Sequence, residues 1–462
     1  MGGSLGLQTD WITWLLMAGL TLFWLASLRL VPGWRVNGWL SLLKSLYGFA
    51  WLGIGTDIVL RFSMLSYNAV EWGNGTLRLA VQPPAVVNKT LACCGLYWVL
   101  VTLGFALAGR RRTAGPFANL EVFTTDFAYA VAIPVAALSS LGFYVSVTPD
   151  ILPLAMVTPV SLLANLYAVP ASVVWWDHFK KPGPWWRVGS VHVLALMPAV
   201  VLGWVSPYRE NLAPLLVIPV MAAIFAGRRP LLRSLVPAGL VFLLILTVFV
   251  SSYRLVKWEH ARVGEVVNDL READFAGFVS GDWAERLQRF HGFDSMLITV
   301  ALVPSARPYS GRNVLINPFI RGVIPRFIYE DKGDADAGLR FGSSLWSYED
   351  PRSRLHNVGR IAPSMPGDLF DAGGVLYLAL GALIWGILLG SIEGWKRNLP
   401  ERSALVITLL LGIQCFMSVE RDFDYTVATV IQLLLVLVLV TSLVAIAERR
   451  NSNLAISLSE RH

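Results

Sequence analysis

Ala372-Gly-Gly-Val-Leu-Tyr-Leu-Ala-Leu-Gly-Ala-Leu-Ile-Trp-Gly-Ile-Leu-Leu-Gly-Ser-Ile392 runs for 21 residues without a charge. About 20 apolar helical residues cross the hydrocarbon core of a bilayer, so this stretch reads as a membrane span. Ten more stretches of the same kind lie at roughly 11–30, 38–60, 91–108, 127–147, 151–176, 188–205, 212–227, 234–252, 404–419 and 426–447. The whole composition agrees: 55% of the 462 residues are apolar and only 15% charged, where a soluble domain carries about 25% charged residues. Mean hydropathy is +0.57. The sequence therefore predicts an all-α polytopic membrane protein with about eleven transmembrane helices. Its 39 Gly and 25 Pro follow no period, which excludes a collagen-like chain. Cys93, Cys94 and Cys415 all lie inside apolar runs, so neither a disulfide framework nor a metal cluster is expected from them.

Lys and Arg set the expected orientation, because cytoplasmic loops carry an excess of both. One set of alternate short loops holds 17 basic residues, including Arg110–Arg112, Lys180–Lys181 and Arg228–Arg229, whereas the other set holds 5. The first set is expected to be cytoplasmic, which puts the N-terminus outside and the C-terminus inside. Eleven spans, an odd number, satisfy this. No cleaved signal peptide is expected, since residues 1–10 carry no basic residue. The net charge of +7 is accounted for by the inner loops and gives no sign of nucleic-acid binding. Trp175, Trp176, Trp185 and Trp186 flank Lys180–Lys181, as interfacial aromatic anchors do.

The expected organisation is spans one to eight over residues 1–252, a large outer loop subdomain over 253–371, and spans nine to eleven with a short tail over 372–462. Within the loop, Phe293–Pro304 and Val314–Ile328 are apolar enough to dip into or lie on the bilayer. Glu259–Phe278 reads as an amphipathic surface helix. The loop holds 13 Arg, 2 Lys, 16 Asp or Glu and three His. That breaks the inside-positive trend and favours the guanidinium, which binds phosphate through a bidentate fork and stays charged when partly desolvated. A cluster such as Arg312, Arg321, Arg326 and Arg340 suits an anionic, phosphate-bearing ligand; the alternative is pairing with the loop's own carboxylates. Asp334-Ala-Asp336 has the DxD form of a metal–nucleotide site, yet two carboxylates one residue apart are common by chance, and no metal role is assigned to it. Asn88-Lys-Thr90 is a glycosylation sequon and is likewise assigned nothing. The chain has no HExxH or GxSxG. Lys44, Asp57 and His192 are the few ionisable residues inside spans, fewer than an ion-coupled transporter would keep at mid-bilayer.

Gly227-Arg-Arg-Pro-Leu-Leu-Arg233 is a basic turn between two expected spans. Arg289-Phe-His-Gly-Phe-Asp294 opens the apolar run to Pro304 in the large loop, and Ile324-Pro-Arg-Phe-Ile-Tyr-Glu-Asp-Lys332 follows it. Ala362-Pro-Ser-Met-Pro-Gly-Asp-Leu-Phe-Asp-Ala-Gly373 leads into span nine, and Glu420-Arg-Asp-Phe-Asp424 fills the charged loop before the last span. These stretches resemble the Wzy-type O-antigen and exopolysaccharide polymerases. In order, they are similar to that family's cytoplasmic glycine–arginine turn, its arginine–aspartate entry to the large loop, its proline–aromatic–lysine segment, its glycine-rich lead-in and its charged short outer loop.

The resemblance implies a GT-C-like glycosyltransferase of the bacterial inner membrane. Such an enzyme transfers a growing glycan from undecaprenyl pyrophosphate to another lipid-linked repeat unit on the periplasmic face. It implies lipid-linked donor and acceptor oligosaccharides as substrates, with a chain-length regulator, a flippase and membrane lipids as partners. It implies no cofactor, no metal and no nucleic acid. For that reaction the residues expected to stabilise the diphosphate charge are Arg289, Arg321, Arg326 and Arg421, and the expected base for the acceptor hydroxyl is Asp368, with His356 second; the alternative for each is a structural salt bridge or loop hydrogen bond. The competing expectations are an O-antigen ligase, which delivers the same donor to lipid A core, and a flippase for the lipid-linked unit.

Overall fold

The computed structural model describes residues 9–67, 83–109, 125–147, 166–181, 183–193, 214–228, 293–305, 308–324, 364–418 and 421–459, with positions 160 and 163. All regular structure among them is helical. The helices of seven residues or more are α1 (Trp11–Ser27), α2 (Leu46–Tyr67), α3 (Pro84–Ala108), α4 (Thr125–Val147), α5 (Ala168–Lys180) and α6 (Pro214–Phe225). They continue with α7 (Phe293–Leu302), α8 (Asn317–Val323), α9 (Met365–Lys396), α10 (Glu401–Met417) and α11 (Phe423–Ser459). Among the described residues three helical stretches, Trp11–Leu30, Pro84–Ala108 and Met365–Lys396, are long and apolar enough to cross a membrane. The chain is a membrane-embedded helical protein. The expected span at 234–252 and the surface helix at 259–278 lie outside the described residues.

The chain forms two compact units. The first comprises Met1–Gly115, Ala284–Asn398 and Leu411–Val436. Its spine is the packing of α9 against α3, where glycines allow the two backbones to touch. A Cβ on Gly386 would collide with the Val101 carbonyl oxygen, one on Gly104 would lie 2.6 Å from that of Leu383, and one on Gly390 2.7 Å from that of Phe105. Gly386-Ile-Leu-Leu-Gly390 is the small-xxx-small spacing by which membrane helices approach closely. α1 begins on a capping box: Asp10 Oδ1 accepts from the Thr13 N–H at 2.8 Å, and the Asp10 N–H donates to Thr13 Oγ1 at 3.2 Å. Asn88 of α3 joins that cap, donating to Asp10 at 3.0 Å and accepting from Thr13 at 2.7 Å. Both ends of the Asn88 amide are thereby used inside the protein.

The expected second span, 38–60, is not one helix. It breaks at Ser45, between a short helix of 5 residues, Leu40–Lys44, and α2. The break is held by a buried ion pair near the end of α9. Glu393 Oε2 accepts from the Leu46 N–H at 3.0 Å, while Lys396 Nζ donates to Glu393 at 2.9 Å and to the Lys44 carbonyl at 2.7 Å. Backbone groups orphaned by the break thus find partners without water.

The second unit comprises Pro116–Trp283, Leu399–Leu410 and Leu437–His462. In it α5 packs against α4 and α6. Its polar contacts gather around α5: Lys180 pairs with Glu401 at 3.1 Å, and Trp175 Nε1 donates to His192 Nδ1 at 2.8 Å. Trp185 and Trp186 stand exposed. α11 continues to Ser459, beyond the expected end of the last span at 447, because Glu448-Arg-Arg450 ends an apolar run without ending a helix.

Candidate functional site

The site lies in the first unit, where α9 starts. The sequence places the loop up to Asp371 and a span from Ala372; the structure begins the helix at Met365 and interrupts it at Gly373–Gly374. Gly374 has φ +68, a conformation that side chains oppose, and a Cβ there would meet the Tyr309 hydroxyl at 2.8 Å. The result is a short buried half-helix, Met365–Ala372, ahead of the long apolar part of α9. Ser364 caps it, its Oγ lying 3.3 Å from the Gly367 N–H. At its other end the Ser310 N–H donates to the Asp371 carbonyl at 2.9 Å and the Gly311 N–H to the Ala372 carbonyl at 3.1 Å. The segment before α8 is thereby fastened to the break.

Four aspartates and two arginines meet around this half-helix. Asp368, on its buried face, accepts from the Arg312 guanidinium through Oδ1. Its Oδ2 accepts from the Phe423 N–H at 3.1 Å and the Asp424 N–H at 3.4 Å, which are in the first turn of α11. Asp371 Oδ2 lies 3.9 Å from Arg312 Nη2. Arg321 of α8 pairs with Asp424, and its carbonyl accepts from Gln432 of α11 at 3.2 Å. Asp422 caps α11 by accepting from the Tyr425 N–H at 2.6 Å.

Burial sets the electrostatics here. It pushes the Asp422 carboxyl well above the usual carboxylate range, and the neighbouring charges of Asp368 and Asp424 push it the same way, against the Tyr425 N–H and Arg312. Burial opposes the charge of Arg312, but the carboxylates around it, Asp368 foremost, outweigh that and raise its pKa. Four carboxyl groups surround two guanidiniums here. Such a group can bind an anion only through a guanidinium edge that its carboxylates leave open.

Of the residues expected from sequence, the structure brings Asp368 and Arg321 into this cluster. Arg421 stands beside it at the start of α11, donating to Gln414 Oε1 at 2.6 Å with its guanidinium 5.4 Å from the Tyr425 ring. Arg289, Arg326 and His356 lie outside the described residues, as do Arg340 and Asp334-Ala-Asp336. Sequence reasoning passed over Asp371, Asp422 and Asp424 as site residues and named Arg312 only as part of a cluster. The usable signal was the pairing of two short acidic motifs, Asp368-x-x-Asp371 and Asp422-x-Asp424, each at the mouth of an apolar helix.

Lys89 reaches the same end of the unit, its Nζ 5.4 Å from the Phe370 ring centre. Among the described residues no group of three or more His, Cys, Asp and Glu side chains is placed to hold a metal ion. Compared with known proteins, the chain matches no family model, no curated protein and no solved structure.

Proposed function

We propose that this protein is a membrane glycosyltransferase that polymerises undecaprenyl-pyrophosphate-linked oligosaccharide repeat units on the periplasmic face of the bacterial inner membrane. The observation that carries this reading is the pair of largely buried arginines, Arg312 and Arg321, held by carboxylates at the start of a broken apolar helix. The leaving group of the reaction is a lipid diphosphate, so negative charge grows on it as the glycosidic bond breaks. Guanidiniums fixed in advance at a low-dielectric site stabilise that charge without reorganising. The lipid tail needs an apolar flank, and Ile316 at the cap of α8 offers one together with Phe319 and Val323 on it, all exposed. The resemblance of the loop and of the segment leading into α9 to the polymerase family supports the same reading. The inside-positive bias of the short loops supports a periplasmic site.

The chemistry asks two things of the protein. Arginines hold the diphosphate of the donor, and a carboxylate or His356 accepts the proton of the acceptor hydroxyl as the new bond forms. A strain lacking the protein tests the reading on a gel of its surface glycan. Single repeat units reaching the surface, with long chains missing, are expected. Repeat units that never leave the cytoplasmic face would mark a flippase. Long chains left on undecaprenyl pyrophosphate would mark a ligase.

A further inference from the structure

We infer that Asp368 is a positioning residue that fixes Arg312 as an anion-binding group for the substrate diphosphate, so that Asp368 does not act as the base. This rests on the lipid-diphosphate reading given above. A base has to come within hydrogen-bond reach of the acceptor hydroxyl. Asp368 has no exposed surface, and both of its oxygens are engaged, one by Arg312 and the other by the N–H groups of Phe423 and Asp424. It joins three pieces of chain that are distant in sequence: the segment carrying Arg312, the half-helix, and the first turn of α11.

Arg312 has the complementary character. Its side chain is 19% exposed. Nη2 is engaged by Asp368, and Nε lies 3.4 Å from Ser310 Oγ. Among the described residues Nη1 has no partner, so one edge of the guanidinium is held and the other stays open. The held edge matters because a long side chain ordered in advance loses little freedom when an anion arrives. Ser310 and Gly311, fastened to the α9 break at 2.9 and 3.1 Å, fix the backbone from which Arg312 extends.

A carboxylate beside an anion repels it, so Coulomb's law alone says that neutralising Asp368 should tighten anion binding by roughly tenfold or more. Positioning says the opposite. The test is calorimetry of inorganic pyrophosphate binding to the full-length protein in lipid nanodiscs. Arg312→Lys should weaken binding at least tenfold, since Lys keeps the charge and loses the fork. Asp368→Asn should weaken it by a similar factor, and the double variant should be no weaker than Arg312→Lys, because the two residues act as one unit. Asp368→Glu should recover part of the affinity. Unchanged or tighter binding by Asp368→Asn overturns the inference and leaves the substrate reading in place. If Asp368→Asn does not fold, Arg312→Lys decides, and wild-type affinity in that variant overturns the inference. A wild-type protein that binds no pyrophosphate overturns both.

Discussion

Asp422 shows how a single residue at this site is set by its surroundings. Burial and the nearby carboxylates raise its pKa above the ordinary 3.8, so the folded protein holds the proton more tightly than the unfolded chain does. Stability contributed by that proton is full below the unfolded pKa and is lost as pH rises through the folded one. Thermal unfolding of the wild type should therefore show a destabilising contribution that grows from about pH 4 upward. Asp422→Asn, which mimics the protonated form, should remove that contribution and match or exceed wild-type stability at neutral pH. A wild type and variant that lose stability in parallel across the range would contradict the assignment. Asp368 is the contrasting case. Its residue type and its place before span nine were readable in the sequence. Its burial was not, because Arg312 and Phe423 are 56 and 55 residues away along the chain. No local pattern reports a partner at that distance.

Among the elements, α9 carries most of the architecture, and the sequence revealed only part of it. Hydropathy found the apolar run from Ala372 to Ile392, since it measures transfer into lipid. It could not find the break at Gly373–Gly374, because a backbone turn between glycines leaves the average unchanged. Gly374→Ala places a Cβ in a left-handed backbone and against Tyr309, and should destabilise the protein by about 2 kcal/mol or more in an unfolding titration. The close contact of α3 and α9 was legible in principle from Gly386 and Gly390. Gly386→Leu should force the two helices apart and lower the melting temperature more than the same change at Gly19, whose Cβ would meet nothing. The Glu393–Lys396 pair is different in kind. Lys396→Met leaves Glu393 buried without its cation, and should cost about 3–5 kcal/mol in the same titration. Stability within about 1 kcal/mol of wild type would show the pair to be incidental.

The whole molecule joins helices apolar enough for a membrane to a charged cluster at the start of α9. The bias of basic residues in the short loops, 17 against 5, predicts cytoplasmic readings from reporter fusions at Arg111, Lys181 and Arg229, and periplasmic readings at Asp282 and Asp350. A cytoplasmic reading at Asp350 would put the site on the side where the lipid-linked units are made, against a polymerase. Composition and charge made the membrane class and the expected orientation readable at this scale. The assembly of the site was not readable, because it depends on tertiary pairing between α8, α9 and the first turn of α11. The most direct measurement is a reaction in which the purified protein receives undecaprenyl-pyrophosphate-linked repeat units with a metal chelator present, and the products are run on a gel. The account predicts a ladder of glycan lengths with release of undecaprenyl pyrophosphate, shortened or lost when Arg321 is replaced by Lys. Repeat units that remain single with the wild-type protein, or a ladder that requires added divalent metal, would contradict it.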